Sequence, residues 1–178
     1  GLGCRVFSPI PGSVCAWFDF GQDKAIAFRS DADALPIGEN TGLPFASRHP
    51  GRMHACGHDG HMAILLELAR RLSRKETLNH NVLLIFQPAE ETTGGARDIC
   101  GTGIFKQYHV EAIFGLHLWP NLEAGVIASR CQEMMSRSCE VKVDITGRSA
   151  HIAKAAEGID AMAAGVDFYR KACAMEGA

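Results

Sequence analysis

The segment Val82-Leu83-Leu84-Ile85-Phe86 is apolar at every position, and Gln87-Pro88 ends it. A strand with one side in water alternates apolar and polar residues, whereas a strand covered by helices on both faces is apolar throughout. The segment therefore predicts a strand inside a layered sheet, with helices on both sides.

The segments around this strand alternate between helix and strand patterns. A helical repeat of apolar residues runs from about Gly60 to Ser73, at Ile64, Leu65, Leu68, Ala69 and Leu72. Beyond the apolar strand, the sequence predicts short helices around Ala96–Cys100 and Ile104–Tyr108, then strands at Ala112–Leu116 and Gly125–Ser129. This βαβ-like order predicts an α/β fold with a mixed sheet.

Two further strands are predicted upstream, at Val14–Phe20 and Lys24–Arg29. The turn-forming residues Gly21-Gln22-Asp23 lie between them, so a hairpin is expected. The stretch from Asp31 to Arg52 is rich in Pro, Gly, Asn and Ser and has no sustained period. Irregular connections of this length usually serve a function, and we expect the same here.

Composition narrows the class of protein. The 178 residues carry a formal net charge of -2, so no basic field favours a phosphate backbone and no nucleic-acid partner is expected. No run of about 18 apolar residues could span a bilayer, and no membrane segment or secretory signal is expected. Seven cysteines, an odd number without framework spacing, indicate reduced thiols and a cytoplasmic location.

The pattern changes after Met134. Residues Cys139–Thr146 alternate apolar and polar side chains, as a half-exposed strand does, and Ile159–Met175 has the pattern of a helix. A strand covered on one side and followed by a helix suggests the opening of an α+β domain. We therefore expect a first domain at residues 1–134 and the incomplete start of an α+β domain at residues 135–178.

The densest group of potential metal ligands is His54-Ala55-Cys56-Gly57-His58-Asp59-Gly60-His61. Thiolates and imidazoles are preferred ligands of zinc and similar ions, and a nearby carboxylate commonly orients a ligating imidazole. A surface loop that is merely rich in histidine is one alternative. A structural zinc site is another, although the chain has no second Cys-x-x-Cys or His-x-x-x-His pair to complete it.

Other candidate site residues follow apolar strands, where α/β sheets place their active residues. Glu90 and Glu91 come directly after the first strand described, and His117 follows the strand at 112–116. Asp31 and Asp33 repeat this position after the strand at 24–29. Taken alone, a Glu-Glu pair is more often a solvated helix start, and a single histidine is more often a satisfied core residue. Together they suggest convergence on one site.

Four stretches occur in a telling order and spacing: FRSDADALP (28–36), MHACGHDGH (53–61), FQPAEE (86–91) and GLHLWP (115–120). Together they resemble the aminoacylase, hippurate hydrolase and auxin-conjugate hydrolase family of metallo-amidohydrolases, over practically the whole chain. The resemblance implies a phosphorylase/hydrolase-like mixed sheet flanked by helices, like that of co-catalytic zinc carboxypeptidases. It also implies that a smaller α+β lid or dimerisation domain interrupts this catalytic domain.

The resemblance implies hydrolysis of the amide bond of N-acyl amino acids with the help of two divalent metal ions. By this resemblance, the metal ligands of the family correspond to Cys56, His58, Glu91 and His117, with Cys56 bridging the two ions. Its general base, which would take a proton from the attacking water, corresponds to Glu90. This ligand set accepts zinc or manganese, and also cobalt or nickel.

Further roles are implied for residues that do not bind the ions. Asp31 corresponds to a carboxylate that supports a metal ligand, whereas His54, Asp59 and His61 would frame the site. The segment Gly147–His151 resembles a lid segment whose histidine, in related homodimers, reaches a neighbouring active site to polarise the scissile carbonyl. His151 is therefore a catalytic candidate, with an exposed turn histidine as the alternative.

The resemblance leaves several functions open. Deacetylation of N-acetyl-diaminopimelate uses the same motifs as hydrolysis of other N-acyl amino acids. A non-catalytic metal-binding or interaction module is the alternative from another class. The family's final histidine ligand has no counterpart here, so we expect the chain to be a fragment truncated at both ends, which alone is expected to be inactive.

Overall fold

The computed structural model describes residues 2–92, 94–134 and 141–175. The chain divides into two compact units, Gly1–Gly125 and Val126–Ala178. The domain boundary expected between residues 134 and 135 falls inside the second unit. Within the described residues, no helix is both long enough and apolar enough to cross a bilayer.

The first unit is built on a five-stranded mixed sheet. Its strands are β1 (Arg5–Phe7), β2 (Val14–Phe18), β3 (Ala25–Asp31), β4 (Asn81–Gln87) and β5 (Val110–Gly115). They lie in the order β1-β2-β4-β3-β5. The pairs β1–β2 and β2–β4 are antiparallel, whereas β3 runs parallel to both β4 and β5. Three helices accompany the sheet: α1 (His58–Leu72), α2 (Gly95–Gly101) and α3 (Ile104–Gln107).

Strand β4 lies at the centre of the sheet and is buried on both faces. Val82 and Leu84 pack on one face with residues of β2 and α1. Leu83 and Ile85 pack on the other face with residues of β2, β3, α2 and α3. Each such side chain contributes about 1.5–3 kcal/mol of hydrophobic stabilisation. The expected α/β fold, a mixed sheet flanked by helices, is confirmed.

The predicted hairpin between the strands at 14–20 and 24–29 is wrong, because β4 lies between β2 and β3. The side chain of Asn81, the first residue of β4, accounts for this arrangement. Its Oδ1 accepts the amides of Phe20 (2.7 Å) and Gln22 (3.3 Å), and its Nδ2 donates to the carbonyl of Gln22 (2.6 Å). The turn residues therefore hold the start of β4 instead of joining two paired strands.

Helix α1 begins two residues before the predicted start, directly after Gly57, whose φ of 81° ends the preceding loop. Its buried face also differs from the predicted apolar stripe. Ile64 is 43% exposed, while His58 and His61 are buried on the same face as Leu65, Ala69 and Leu72. The helix therefore carries two buried histidines into the first unit.

The described part of the second unit contains a 3₁₀ helix at Ile152–Glu157 and the helix α4 at Ala161–Cys173. Helix α4 begins two residues after the predicted start at Ile159, because Asp160 caps it by accepting the amides of Met162 and Ala163, and it ends two residues before Met175. Arg148 and Ile159 form an isolated antiparallel bridge.

Two predicted strands do not form. Neither Gly125–Ser129 nor residues 141–146 is a strand, because neither pairs with another segment among the described residues. Cys139 and Glu140, the first residues of the second predicted strand, lie outside the described residues. Apolar content and alternation mark a segment that can pair, but a strand also needs a partner at hydrogen-bonding distance.

Candidate metal centre and active site

The candidate residues converge at one edge of the sheet. Asp31 and Gln87 are the last residues of β3 and β4, and they face each other in the parallel register. The Glu90-Glu91 pair follows Gln87, and His117 lies two residues beyond the end of β5. Helix α1 begins at the same edge with His58. The carboxyl ends of parallel strands therefore collect these side chains, as the sequence predicted.

His58 supplies a buried nitrogen that has no hydrogen-bond partner. The residue is 1% exposed, and its Nδ1–H donates to the backbone carbonyl of Asp33 at 2.8 Å. This bond leaves the lone pair on Nε2, which lies 3.7 Å from one carboxylate oxygen each of Asp31 and Glu91. Those distances are too long for hydrogen bonds. A buried imidazole nitrogen without a partner needs an explanation, and a cation bound between it and the two carboxylates would supply one.

Cys56 and Glu91 complete a group of three potential ligands with His58. Their Sγ, carboxylate oxygen and imidazole nitrogen all lie within 4.8 Å of one another. Burial raises the pKa of the Cys56 thiol to about 11, and the negative charges of Glu91, Glu90 and Asp31 act in the same direction. Sulfur, nitrogen and oxygen donors at this spacing suit zinc and similar ions, so the residues present fit a metal centre.

His117 lies beside this group. Its Nδ1–H donates to the carbonyl of Leu118 at 2.7 Å, and its Nε2 lies 3.5 Å from Cys56 Sγ. The imidazole therefore turns its second nitrogen toward the thiol. The structure brings all four predicted ligands, Cys56, His58, Glu91 and His117, to one place.

Asp31 and His61 form a buried pair behind the ligands. The Nδ1–H of His61 donates to Asp31 Oδ1 at 2.6 Å, and Arg29 donates to Asp31 Oδ2 at 2.9 Å. Burial alone would raise the pKa of Asp31, but the hydrogen bond from His61 and the nearby charge of Arg29 outweigh it and lower the pKa. Asp31 is therefore an ionised carboxylate beside the ligand His58.

His61 has no nitrogen left for an ion. Its Nε2 accepts the amide of Leu118 at 2.9 Å, while its Nδ1–H is bonded to Asp31. The imidazole thus ties the segment after β5 to the end of β3. This geometry agrees with the framing role that the resemblance implies for His61.

The other two framing candidates differ from each other. His54 is partly buried, and its Nδ1 atom is buried without a hydrogen-bond partner. Asp59 is exposed, and its carboxylate accepts the amide of Gly60 at 2.9 Å. The recorded contact of Asp59 is therefore local to the first turn of α1.

The Asp33 carboxylate makes two hydrogen bonds that the sequence did not predict. Its Oδ1 accepts the amide of Glu90 at 3.0 Å, and its Oδ2 accepts the amide of Glu91 at 3.1 Å. The only signal in the sequence was its place after a strand end, two residues beyond Asp31. Every residue except proline carries a backbone amide, so a sequence does not show which amides a side chain will bind. No role could therefore be assigned to Asp33 from the sequence.

The loop that carries the two glutamates is tightly folded. Ala89 has a φ of 54°, which is unusual for a residue with a side chain. The amides of Gly94 and Gly95 both donate to the carbonyl of Ala89 at 3.2 Å. A Cβ atom on Gly95 would lie 2.0 Å from the carbonyl oxygen of Pro88, so this position has no space for one.

His151 lies in the second unit. It is exposed, and its Nδ1 accepts the amide of Ala153 at 3.2 Å, which caps the 3₁₀ helix. The predicted exposed-turn alternative and the predicted catalytic role are both compatible with this local geometry.

The sequence profile of peptidase family M20/M25/M40 matches residues 27–175. An N-acetyldiaminopimelate deacetylase of Streptococcus uberis is 43% identical over 145 residues, which is 82% of this chain and 38% of that protein. The chain therefore spans about two fifths of the length of the curated relatives it matches.

Two solved structures are similar to this fold. The Bacillus subtilis YXEP protein, described as a dinuclear metal binding peptidase from the M20 family, has a TM-score of 0.63 at 42% identity, and the match covers 68% of this chain and 34% of that one. A protein from methicillin-resistant Staphylococcus aureus has a TM-score of 0.74 at 30% identity, and the match covers 94% of this chain and 45% of that one.

Proposed function

Because this chain belongs to peptidase family M20/M25/M40, we propose that the protein it contributes to is a metal-dependent amidohydrolase acting on N-acyl amino acids. The observation that carries the proposal is the group formed by Cys56, His58 and Glu91, in which the buried Nε2 of His58 has no partner. A core histidine without function would have both nitrogens bonded, as His61 has.

Cys56, His58, Glu91 and His117 would hold two divalent ions. Two ions are proposed because the similar YXEP protein is described as dinuclear. When bound, such ions act as Lewis acids that polarise the acyl carbonyl and acidify water. Zinc or manganese is the expected ion, and cobalt or nickel suits the same ligands.

The remaining chemistry falls to the chain's own carboxylates and imidazoles. Glu90 takes a proton from the attacking water at its carboxylate, the water oxygen joins the acyl carbon, and the carbon–nitrogen bond breaks. Glu90 then gives the proton to the leaving nitrogen, so that a carboxylic acid and an amine result. The ionised carboxylate of Asp31 lies beside His58 and holds His61 by a short hydrogen bond.

The substitution Glu90→Gln in the full-length protein tests this mechanism. The amide cannot accept the proton, so kcat on N-acetyl amino acids should fall by about 10²–10⁴-fold, while the metal content measured by elemental analysis stays unchanged. Glu76→Gln is the matched control, because Glu76 is exposed and lies in the connection between α1 and β4, outside the group of candidate ligands. Turnover by Glu90→Gln equal to that of the control would refute the proposal.

A more specific substrate, N-acetyl-diaminopimelate, is the second candidate. It is favoured because the Streptococcus uberis relative is named for this deacetylation. The two candidates share the same chemistry and differ only in the side chain that the substrate presents. Comparing kcat/KM for N-acetyl-diaminopimelate with kcat/KM for simple N-acetyl amino acids decides between them. A preference below tenfold would speak against the specific substrate.

We also propose that the full-length protein is a cytoplasmic homodimer joined through its lid domain, in which His151 polarises the scissile carbonyl. The free thiols among the described cysteines support a reducing compartment. Mixing Glu90→Gln subunits with His151→Ala subunits tests the shared role: hybrid dimers should regain activity if His151 serves the neighbouring subunit. Absence of any regained activity in verified hybrids would count against it.

A further inference from the structure

Asp33 connects its own segment with two others in the first unit. Its backbone carbonyl accepts the Nδ1–H of His58, the first residue of α1. Its two carboxylate oxygens accept the amides of Glu90 and Glu91, which follow β4. Asp33 itself follows β3. One residue thus connects the end of β3, the start of α1 and the loop beyond β4.

The chemistry of this contact suits a carboxylate and no other side chain of its size. Two consecutive amides point at one residue, and each needs an acceptor. An ionised carboxylate offers an acceptor to both, whereas an asparagine offers one oxygen and turns its NH₂ donor toward the second amide. Hydrogen bonds to an ionised acceptor are also about twice as strong as neutral ones.

The contact fixes residues whose side chains do the proposed chemistry. Glu90 and Glu91 are exposed, and the residue before them, Ala89, has a positive φ. Such a backbone persists only where surrounding contacts hold it. The two bonds to Asp33 tie the peptide units of Glu90 and Glu91 to the same residue that sets the tautomer of His58.

We propose that Asp33 is a positioning residue that holds Glu90, Glu91 and His58 in one arrangement, so that the base and the ligands are placed together. This inference rests on the proposed function for the roles of those three residues. It assigns Asp33 no contact with substrate or ion.

Hydrogen exchange of the 178-residue chain tests the contact without any activity assay. The amides of Glu90 and Glu91 should exchange slowly in the wild-type chain although both residues are exposed, because Asp33 accepts them. In Asp33→Asn, at least one of the two amides should exchange about tenfold faster or more, whereas the amides of Leu83 and Leu84 in β4 stay protected. Fast exchange of both amides in the wild-type chain would overturn the proposal, and that measurement needs no variant.

Zinc binding and kinetics test the consequence. Zinc affinity of the chain, measured by competition with a chromophoric chelator, should fall by about 10–100-fold in Asp33→Asn, as for other residues that orient metal ligands. In the full-length protein saturated with zinc, kcat should fall by a similar factor while KM changes less than threefold, because Asp33 does not touch substrate. Asp98→Asn, at an exposed position of α2, is the matched control for the same change of side chain.

The outcomes separate this inference from the proposed function. A purely structural role would lower the melting temperature of Asp33→Asn and leave zinc affinity and kcat equal to those of Asp98→Asn, which would overturn the inference. If the wild-type full-length protein hydrolyses no N-acyl amino acid, the proposed function fails, and exchange and zinc affinity still decide whether Asp33 positions the ligands. Faster exchange of the Glu90 or Glu91 amide together with lower zinc affinity in Asp33→Asn supports the positioning role.

Discussion

His58 and His61 lie one turn apart on α1, yet their hydrogen bonds give them different chemistry. His61 uses both nitrogens, one toward Asp31 and one toward the amide of Leu118. His58 uses only Nδ1 and keeps a buried lone pair on Nε2. A hydrogen bond at one nitrogen sets the role of the other, so one histidine is available to an ion and its neighbour is not.

Cys15 provides a prediction about thiol reactivity. It is fully buried in β2, and burial raises its pKa to about 11, so little thiolate exists at neutral pH. Cys100 is exposed on α2. Alkylation of the native chain, followed by peptide mass spectrometry, should therefore modify Cys15 at least about 100-fold more slowly than Cys100. Equal rates would mean that Cys15 is not buried as described, whereas both should react once the chain is unfolded.

Much of the candidate site could be predicted at the level of single residues. Cys56, His58, Glu91 and His117 are chemically distinctive, and the three segments that carry them begin or follow regular elements. Asp33 could not be assigned, because its partners are two backbone amides that any residue would offer. The division of labour between His58 and His61 also depends on partners distant in sequence, and spacing alone does not reveal it.

At the scale of elements, the loop between β4 and α2 depends on a single glycine. A Cβ atom at Gly95 would meet the carbonyl oxygen of Pro88 at 2.0 Å, whereas nothing lies within 4 Å of a Cβ atom at Gly101, near the end of α2. Gly95→Ala should lower the free energy of unfolding by about 1–3 kcal/mol, as overpacking does. Gly101→Ala should leave it unchanged or raise it by up to about 1 kcal/mol.

Urea unfolding of both variants measures this difference with the same change of side chain. Zinc affinity gives a second readout, because Gly95, the first residue of α2, directly follows the loop that carries Glu91, and only Gly95→Ala should weaken binding. Equal stability and equal zinc affinity for the two variants would show that the loop relaxes without moving its ligand.

The sequence predicted elements well where the pattern within the segment is enough to assign the helix or strand. The repeat in α1 and the apolar run in β4 are of this kind. The hairpin failed because the turn at residues 21–23 is held by Asn81, about sixty residues away. The segment Gly125–Ser129 is apolar enough for a strand but has no neighbouring strand among the described residues.

On the scale of the whole molecule, the first unit should not need metal in order to fold. Two apolar clusters cover the faces of the sheet, and β4 contributes to both. A chelator should therefore leave the far-ultraviolet circular dichroism of the chain unchanged at 25 °C. A zinc concentration 100-fold above Kd adds about 2.7 kcal/mol, which corresponds to a melting temperature about 5–10 °C higher.

This measurement also judges the alternative of a structural metal module. A domain that depends on a structural ion unfolds when the ion is removed. Loss of the circular dichroism signal in chelator would therefore favour that alternative over the open centre proposed here.

The central position of β4 has a consequence for how the chain is made. Its partners β2 and β3 are synthesised more than forty residues earlier, and Val14 pairs with Phe86 across most of the first unit. Until Asn81–Gln87 has emerged from the ribosome, only the β1–β2 hairpin can form its final hydrogen bonds. The nascent chain must therefore wait with β3 unpaired, and pairings of such long range close slowly.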